Sequence, residues 1–286
     1  TQRAKHPNPN RSSVLINVKI DGEVPLIYVG DKTGRPMSHT SSIYIKQGYN
    51  LADLISKMIQ VEIDVPCAEL SYKDGKIALK PVIFNGVYVG KNDPVAFADN
   101  VEKFKRKGLD YSIILYGAPG CGKTTFIMSY AELRRKRVLI VGPDVIDEGV
   151  DLSLYIDILK PDVLLLDDYD RSGNYNFAYS TLPILKSRNP NLMVCITCNH
   201  PSELGAAILR PGRGGHLIGF EAPSKEDKLE LFQTYLKVYK IENPEKFNHD
   251  EMIEALTEDW THDWVRHLAR MCLIYETQEE IMKFIE

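Results

Sequence analysis

The feature that most constrains this chain is a glycine-rich segment between a short apolar run and a stretch with helical spacing. The apolar run is Ile113–Tyr116, and the helical stretch begins near Thr124. Glycines let successive backbone N–H groups close around an anion without a side chain in the way, and the start of a helix adds further N–H groups. The order of strand, glycine-rich turn and helix therefore predicts a phosphate-binding loop at the end of a buried strand.

Two side chains of this loop carry the predicted chemistry. Lys123 is expected to reach the β- and γ-phosphates of a nucleoside triphosphate, and the Thr124 hydroxyl is expected to bind Mg²⁺. Glycine-rich turns also precede helices that bind nothing, but the Lys-Thr pair in this context favours a nucleotide site. The residues predicted to bind the nucleotide are Gly117, Ala118, Pro119, Gly120, Cys121, Gly122, Lys123, Thr124 and Thr125.

Two acidic residues follow a second apolar run. Val163–Leu166 is continuously apolar, as is typical of a strand buried on both faces of a parallel sheet, and Asp167 and Asp168 come directly after it. We expect Asp167 to hold Mg²⁺ directly or through water, and Asp168 to orient or deprotonate the attacking water. The alternative is a pair of acids that simply ends a strand in solvent, and the phosphate-binding loop favours the catalytic interpretation.

The composition is that of an ordinary globular chain. With 286 residues, of which 44% are apolar, it has room for about two domains. Its net charge of −4 argues against a global positive field that would attract nucleic acid. Five cysteines, an odd number, favour reduced thiols and a cytoplasmic location. The sequence contains no apolar run of about 18 residues, so it predicts no membrane span.

The residue pattern divides the chain into four segments. Residues 1–12 are polar and predict a flexible tail, and residues 13–90 predict a β-rich domain with one helix at Leu51–Ile59. Residues 91–222 alternate apolar strands with helical stretches, which indicates an α/β fold with a parallel sheet. Residues 223–286 have helical spacing throughout. The β-rich segment carries no catalytic constellation.

Two further segments complete an ordered set of motifs. A predicted strand at Leu192–Thr197 leads to Thr197-Cys198-Asn199-His200-Pro201, and Leu209-Arg210-Pro211-Gly212-Arg213 follows. With the phosphate-binding loop and the acidic pair, in this order, these segments resemble the AAA family of the AAA+ ATPases over about residues 91–286. The nearest-looking subgroup is that of the mitochondrial chaperone that translocates the folded Rieske iron–sulfur protein.

This resemblance implies an ATPase core at residues 91–222 with a helical lid at residues 223–286, and ATP with Mg²⁺ as the cofactors. It implies that Asn199 positions the attacking water. It also implies that Arg210 and Arg213 act on the nucleotide of the next subunit, since a guanidinium can grip γ-phosphate oxygens as negative charge spreads. A site shared in this way requires a head-to-tail ring, and a hexamer or heptamer is the family expectation.

Three departures from the family pattern bear on the function. Asp168 stands where Glu is usual, and its shorter side chain predicts slow hydrolysis or a chain of waters. Gly214-Gly215 stands where an apolar residue and Asp are usual. Between Val141 and Ser153 no aromatic residue is present to line a pore. Threading of an unfolded chain is therefore less supported than in unfoldases. Pushing of a folded cargo, nucleic-acid remodelling and control of assembly all stay open.

The resemblance implies Mg²⁺-dependent ATP hydrolysis in a ring, coupled to remodelling or translocation of a macromolecule, with protein favoured. One alternative is a slow ATP switch or assembly factor, suggested by Asp168. Another is a nucleic-acid helicase or loader, suggested by the basic runs Lys103–Lys107 and Arg134–Arg137. Basic residues also suit the negative end of a helix dipole, which is the simpler explanation of these runs. Arg266 and Arg270 are candidates for a further nucleotide contact.

Overall fold

The structure, a computed structural model, describes residues 2–5, 12–20, 23–30, 42–45, 66–73, 76–84, 86–174, 176–204, 208, 215–257 and 260–285. The chain divides into two compact units. The first contains Thr1–Val65, Lys73–Lys76 and Leu152–Lys160, and the second contains Pro66–Tyr72, Ile77–Asp151 and Pro161–Glu286. The helix predicted at Leu51–Ile59 lies outside the described residues.

The described residues form eleven β-strands and nine α-helices. The strands are β1 (Gln2–Lys5), β2 (Ser12–Ile20), β3 (Glu23–Gly30), β4 (Ser42–Ile45), β5 (Cys67–Lys73), β6 (Lys76–Pro81), β7 (Ile113–Gly117), β8 (Val138–Val141), β9 (Val163–Leu166), β10 (Met193–Cys198) and β11 (His216–Phe220). The helices are α1 (Pro94–Arg106), α2 (Lys123–Leu133), α3 (Pro143–Asp147), α4 (Leu152–Leu159), α5 (Asn176–Arg188), α6 (Lys225–Val238), α7 (His249–Glu254), α8 (His262–Ile274) and α9 (Gln278–Met282).

The first unit contains a four-stranded antiparallel sheet in the order β1-β2-β3-β4. The partly alternating residues on either side of Asp21-Gly22 predict a hairpin. Strands β2 and β3 pair antiparallel, in agreement with that prediction. Strand β1 differs from the prediction, because it lies within the segment expected to be a flexible tail. It pairs with β2, with Arg3 opposite Val14. Backbone pairing of this kind leaves no trace in a polar composition.

The second unit is built on a seven-stranded sheet in the order β11-β7-β10-β9-β8-β5-β6. Neighbouring strands from β11 to β5 run parallel, which confirms the predicted parallel α/β fold. Ile114, Leu165 and Ile196, from the central strands β7, β9 and β10, are fully buried. Burial on both faces explains their unbroken apolar sequences. The carboxyl ends of these strands lie at one edge of the sheet, so the segments that follow them are brought together.

Strands β5 and β6 extend this sheet, although the sequence places their residues in the β-rich segment 13–90. Strand β5 runs parallel to β8, with Cys67 opposite Val138. Cys67, Ala68 and Leu70 of β5 are all buried. The backbone of β5 pairs with the edge that β8 would otherwise present to solvent. The sheet of the second unit therefore begins at Cys67 rather than after residue 90.

The helices agree with the prediction at most positions and differ at two. The residue pattern predicts helices at residues 94–107, 124–134, 146–160, 225–239, 250–256 and 261–275. Helices α1, α2, α6, α7 and α8 lie close to these bounds. A single helix predicted over Ile146–Lys160 is instead the pair α3 and α4, because Gly149 adopts a φ of 65° that ends the first helix. The residue pattern does not predict α5, which contains Pro183, or β11, where Gly219 weakens the strand signal.

Helices α6–α9 pack around a hydrophobic core of their own, whose buried members include Phe232, Leu268 and Ile281. Val87 and Val89, from the segment before α1, pack against the same core. This segment therefore links the C-terminal helices to the sheet. Within the described parts of the chain, no helix combines the length and apolar content needed to cross a bilayer.

Candidate nucleotide site

The glycine-rich loop between β7 and α2 has the backbone that a phosphate cradle needs. Gly117, Gly120 and Gly122 have φ values of 148°, 75° and 84°, which residues with a Cβ atom rarely adopt. A Cβ atom at Gly117 would also lie 2.1 Å from the carbonyl oxygen of Phe220. Helix α2 begins at Gly122 with no side-chain cap. Its first turn is therefore available to an anion.

Lys123 connects two motifs that lie far apart in the sequence. Its ammonium donates hydrogen bonds to the carbonyl oxygens of Gly117 at 2.7 Å and Ala118 at 3.0 Å, and to Asn199 Oδ1 at 3.1 Å. Only 6% of the residue is exposed. The structure thus brings together the lysine and the amide that the sequence assigns to one site.

The predicted metal ligands also lie together. Thr124 Oγ1 donates a hydrogen bond to Asp167 Oδ1 at 2.7 Å, and Thr197 Oγ1 donates to the same oxygen at 2.7 Å. Among the described residues, no group of three or more His, Cys, Asp or Glu could hold a metal ion by itself. Because Mg²⁺ in nucleotide sites is usually bound by one or two carboxylates with phosphates and water, the hydroxyl and carboxylate present here fit that ion.

Asp168 lies beside the metal ligands in an unusual backbone conformation. Its φ and ψ are 49° and 44°, in the left-handed region, and its carboxylate forms an ion pair with Arg171 Nη1 at 3.0 Å. Burial and the neighbouring Asp167 raise the pKa of Asp168 above its ordinary value, while Arg171 and Lys123 oppose that rise. The turn therefore holds a carboxylate whose proton affinity is raised, as suits a general base.

Three residues of this site are absent from the sequence prediction: Thr197, Asp170 and Arg171. The Thr197 hydroxyl accepts a hydrogen bond from the Asp168 N–H at 2.8 Å. Asp170 Oδ2 accepts one from the Asn199 N–H at 2.8 Å. Their position in the sequence could have indicated them, because residues just beyond the paired ends of adjacent parallel strands lie close together. Each of the two contacts depends on a partner about thirty residues away, which no local pattern reveals.

The start of α8 and the segment before α1 form a wall against the loop. A Cβ atom at Gly120 would lie 2.5 Å from Thr261 Oγ1, and one at Gly122 would lie 3.0 Å from the Tyr88 ring. The Tyr88 and His262 rings stack with centroids 5.5 Å apart and planes 12° apart. The wall therefore leaves little room for a side chain at Gly120 or Gly122.

His262 is the buried base of this wall. Its Nε2 lies 2.6 Å from the Val89 carbonyl oxygen, so Nε2 carries the proton and donates it. Its Nδ1 is buried, and no described residue offers it a hydrogen-bond partner. Burial lowers the pKa of His262, although the bond to Val89 opposes the change. The imidazole is therefore held in its neutral form.

The predicted arginines have different outcomes. Arg210 and Arg213 lie outside the described residues. Arg266 and Arg270 both donate from Nε to the Tyr239 hydroxyl, at 3.2 Å and 3.1 Å. Their role at a nucleotide stays a prediction.

The central residues of the chain match a known protein family. A family model described as "ATPase family associated with various cellular activities (AAA)" matches residues 113–222. Proteasome-activating nucleotidase of Pyrococcus abyssi is 26% identical over 219 residues, which cover 65% of this chain and 54% of that protein. Peroxisomal ATPase pex1 of Schizosaccharomyces pombe is 28% identical over 179 residues, which cover 55% of this chain and 19% of that protein. The chain thus spans about half the length of the nucleotidase and less of pex1.

A solved structure has a related fold. It is the RuvB Holliday junction branch migration motor of Thermotoga maritima, which matches with a TM-score of 0.54. The match covers 69% of this chain and 68% of that one. At 15% sequence identity, the likeness concerns the fold alone.

Proposed function

We propose that this chain hydrolyses ATP with Mg²⁺ and uses the energy to remodel or translocate another protein. A model of the AAA ATPase family matches residues 113–222, which supports the proposal. The observation that carries the proposal is the meeting of three motifs at one edge of the sheet. Lys123 contacts Asn199, and Thr124 contacts Asp167, although these partners lie 76 and 43 residues apart in the chain. The ATPase names of the relatives agree with hydrolysis.

Each residue has a role that its chemistry allows. Bound Mg²⁺ would neutralise phosphate charge in the transition state. Thr124 and Asp167 would hold that ion, and Lys123 would supply a positive charge to the phosphates. Asp168 would orient or deprotonate the attacking water, with Asn199 donating and accepting hydrogen bonds beside it.

The proposal includes a ring of identical subunits. Arg210 and Arg213 would reach the nucleotide of the adjacent subunit and stabilise the charge that develops during phosphoryl transfer. An isolated subunit would then bind ATP but hydrolyse it poorly. A hexamer or heptamer would close such head-to-tail contacts.

The substrate is proposed to be a protein, bound by the β-rich segment and moved as a helical lid at residues 223–286 responds to the nucleotide. Proteins similar to this chain include a proteasome-activating nucleotidase and a peroxisomal ATPase. The subgroup resemblance and the lack of an aromatic residue between Val141 and Ser153 favour a folded cargo. Buried cysteine thiols agree with a reducing compartment such as the cytoplasm.

Two basic residues with acidic partners bear on the nucleic-acid alternative. Arg134 forms an ion pair with Asp99, and Lys136 lies 3.7 Å from Asp162. These partners reduce the positive charge that the basic run offers to phosphates. Protein therefore remains the favoured substrate.

The test is ATP hydrolysis measured across a range of protein concentrations. We expect the rate per subunit to rise with concentration as the ring forms, and both Lys123→Ala and Arg210→Ala to lose activity. The exposed residues Lys91 and Arg188 supply matched alanine controls, which should retain it.

The slow-switch alternative gives a different result in the same experiment. The pairing of Asp168 with Arg171 favours it, because the guanidinium opposes the rise in the pKa of this carboxylate and so makes it a weaker base. If ATP drives assembly while hydrolysis is undetectable, the motor proposal is wrong and the switch is supported.

A further inference from the structure

Strands β9 and β10 are joined by a backbone ladder that ends before the catalytic residues. The last paired residues are Ile196 and Leu166. Beyond that point, two hydrogen bonds between side chain and backbone continue the connection. The Asp168 N–H donates to Thr197 Oγ1, and the Asn199 N–H donates to Asp170 Oδ2, each at 2.8 Å. Side chains thus extend the ladder through the acidic turn.

Thr197 uses both capacities of its hydroxyl in this arrangement. The oxygen accepts from the Asp168 N–H at 2.8 Å, and the hydroxyl proton goes to Asp167 Oδ1 at 2.7 Å. The residue is 0% exposed, so water cannot substitute for either bond without a rearrangement. One hydroxyl therefore contacts both members of the acidic pair.

The backbone of Asp168 makes this contact consequential. Its left-handed conformation, with φ of 49°, is unfavourable for a residue with a Cβ atom. Such a conformation persists when the surrounding structure holds it. The bond from the Asp168 N–H to Thr197 comes from the adjacent strand and supplies such a restraint.

We propose that Thr197 is a positioning residue that orients Asp167 for Mg²⁺ and fixes the turn carrying Asp168. It acts through these acids and does not itself contact the nucleotide. The inference rests on the proposed function, because it assumes that Asp167 holds Mg²⁺. It assigns strand β10 a second contribution to the site beside Asn199.

The test compares binding of a fluorescent ATP analogue with Mg²⁺ and with EDTA in Thr197→Val and Thr197→Ser. Valine keeps the shape and removes the hydroxyl, whereas serine keeps the hydroxyl. Because residues that orient metal ligands typically contribute about 10–100-fold to metal affinity, Thr197→Val should lose at least about tenfold of the Mg²⁺-dependent gain in affinity. Affinity in EDTA should stay within about twofold, and serine should restore most of the gain.

Thr234→Val is the matched control, because the Thr234 hydroxyl only donates to the Glu230 carbonyl within α6. It should behave like the wild type. If Thr197→Val does not fold, Thr197→Ala replaces it with a smaller side chain.

The outcomes separate the inference from the proposed function. A wild type whose affinity for the analogue does not rise with Mg²⁺ contradicts the proposed function. A wild type that shows this rise while the Thr197→Val protein shows it equally contradicts only the inference. Equal losses with Mg²⁺ and with EDTA, or failure of serine to rescue, would show a purely structural role and overturn the inference.

Discussion

Two strand ends meet at the nucleotide site, and they hold their shapes in different ways. After β7, Gly117, Gly120 and Gly122 take positive φ values, which glycine adopts without a steric penalty. After β9, Asp168 takes a φ of 49° despite its side chain, and its N–H is bonded to Thr197 on the next strand. The loop is therefore shaped by its own residues, whereas the acidic turn depends on a neighbour. Replacing one of these loop glycines should alter folding, whereas replacing the Asp168 side chain in the turn should alter chemistry.

The largest expected effect is that of Asp168→Asn, which removes the carboxylate but keeps a side chain that tolerates the left-handed region. Because a positioned general base contributes about 10²–10⁴-fold, kcat for ATP hydrolysis should fall by at least about 100-fold. The free energy of unfolding should change by less than about 1 kcal/mol, since no core residue is altered. Steady-state kinetics and urea denaturation measure the two quantities.

Arg171→Gln is the control for that variant, since it removes the ion-pair partner of Asp168 while leaving the carboxylate in place. The Arg171 side chain is 60% exposed, so the free energy of unfolding should change by less than about 1 kcal/mol. If kcat of Asp168→Asn stays within about threefold of wild type, Asp168 is not the base.

The next effect is on folding, and it tests the loop. Gly117→Ala should lower the free energy of unfolding by about 2–4 kcal/mol, because the new Cβ atom meets the Phe220 carbonyl oxygen as well as a disfavoured φ. Gly108→Ala is the matched control, with a φ of 67° but nothing within 4 Å of the added atom. It should cost only about 1–2 kcal/mol, from the backbone conformation alone. Equal losses in urea denaturation would show that the contact with Phe220 does not restrict the loop.

The smallest effect concerns the wall against the loop and depends on pH. Burial lowers the pKa of His262, so the unfolded chain binds this proton more readily than the folded chain does. The free energy of unfolding should therefore have its full value above the ordinary histidine pKa of about 6.5 and should decrease as the pH drops below it. The total loss should be about 1.4 kcal/mol for each unit by which the pKa in the folded state lies below that in the unfolded state.

Urea denaturation at several pH values between 7.5 and 5.5 measures the slope of the free energy of unfolding against pH. His262→Gln, which can still donate to the Val89 carbonyl, should flatten it, whereas His267→Gln at an exposed position of α8 should not. A slope that is unchanged in His262→Gln would mean that another group carries the pH dependence.

The contrast between the strand ends also explains what could be predicted from the sequence. The loop was recognisable because Gly117–Thr124 encodes its backbone and its chemistry in consecutive residues. Asp167 and Asn199 were recognisable because each directly follows or closes an apolar strand. The parallel sheet followed from the same unbroken apolar runs.

The remainder depends on contacts that no local pattern contains. Thr197 reads as an ordinary strand residue until β10 is paired with β9. Similarly, Cys67–Lys73 reads as one of several short strands near the N-terminus, because its pairing with Val138–Val141 joins segments about seventy residues apart. Helix α5 was missed because Pro183 lies within it. These elements are specified by tertiary pairing rather than by propensity.

The close packing of Gly120 against Thr261 has a mechanical consequence. A side chain at Gly120 has no room next to the start of α8, so the two surfaces are in direct contact. Close-packed interiors transmit displacement rather than absorb it. A rotation of the C-terminal helices that moves Thr261 by even a fraction of an ångström would therefore press on the loop. The phosphate-binding loop and the C-terminal helices are thus in rigid contact at Gly120 and Thr261. A displacement of either one would be transmitted directly to the other.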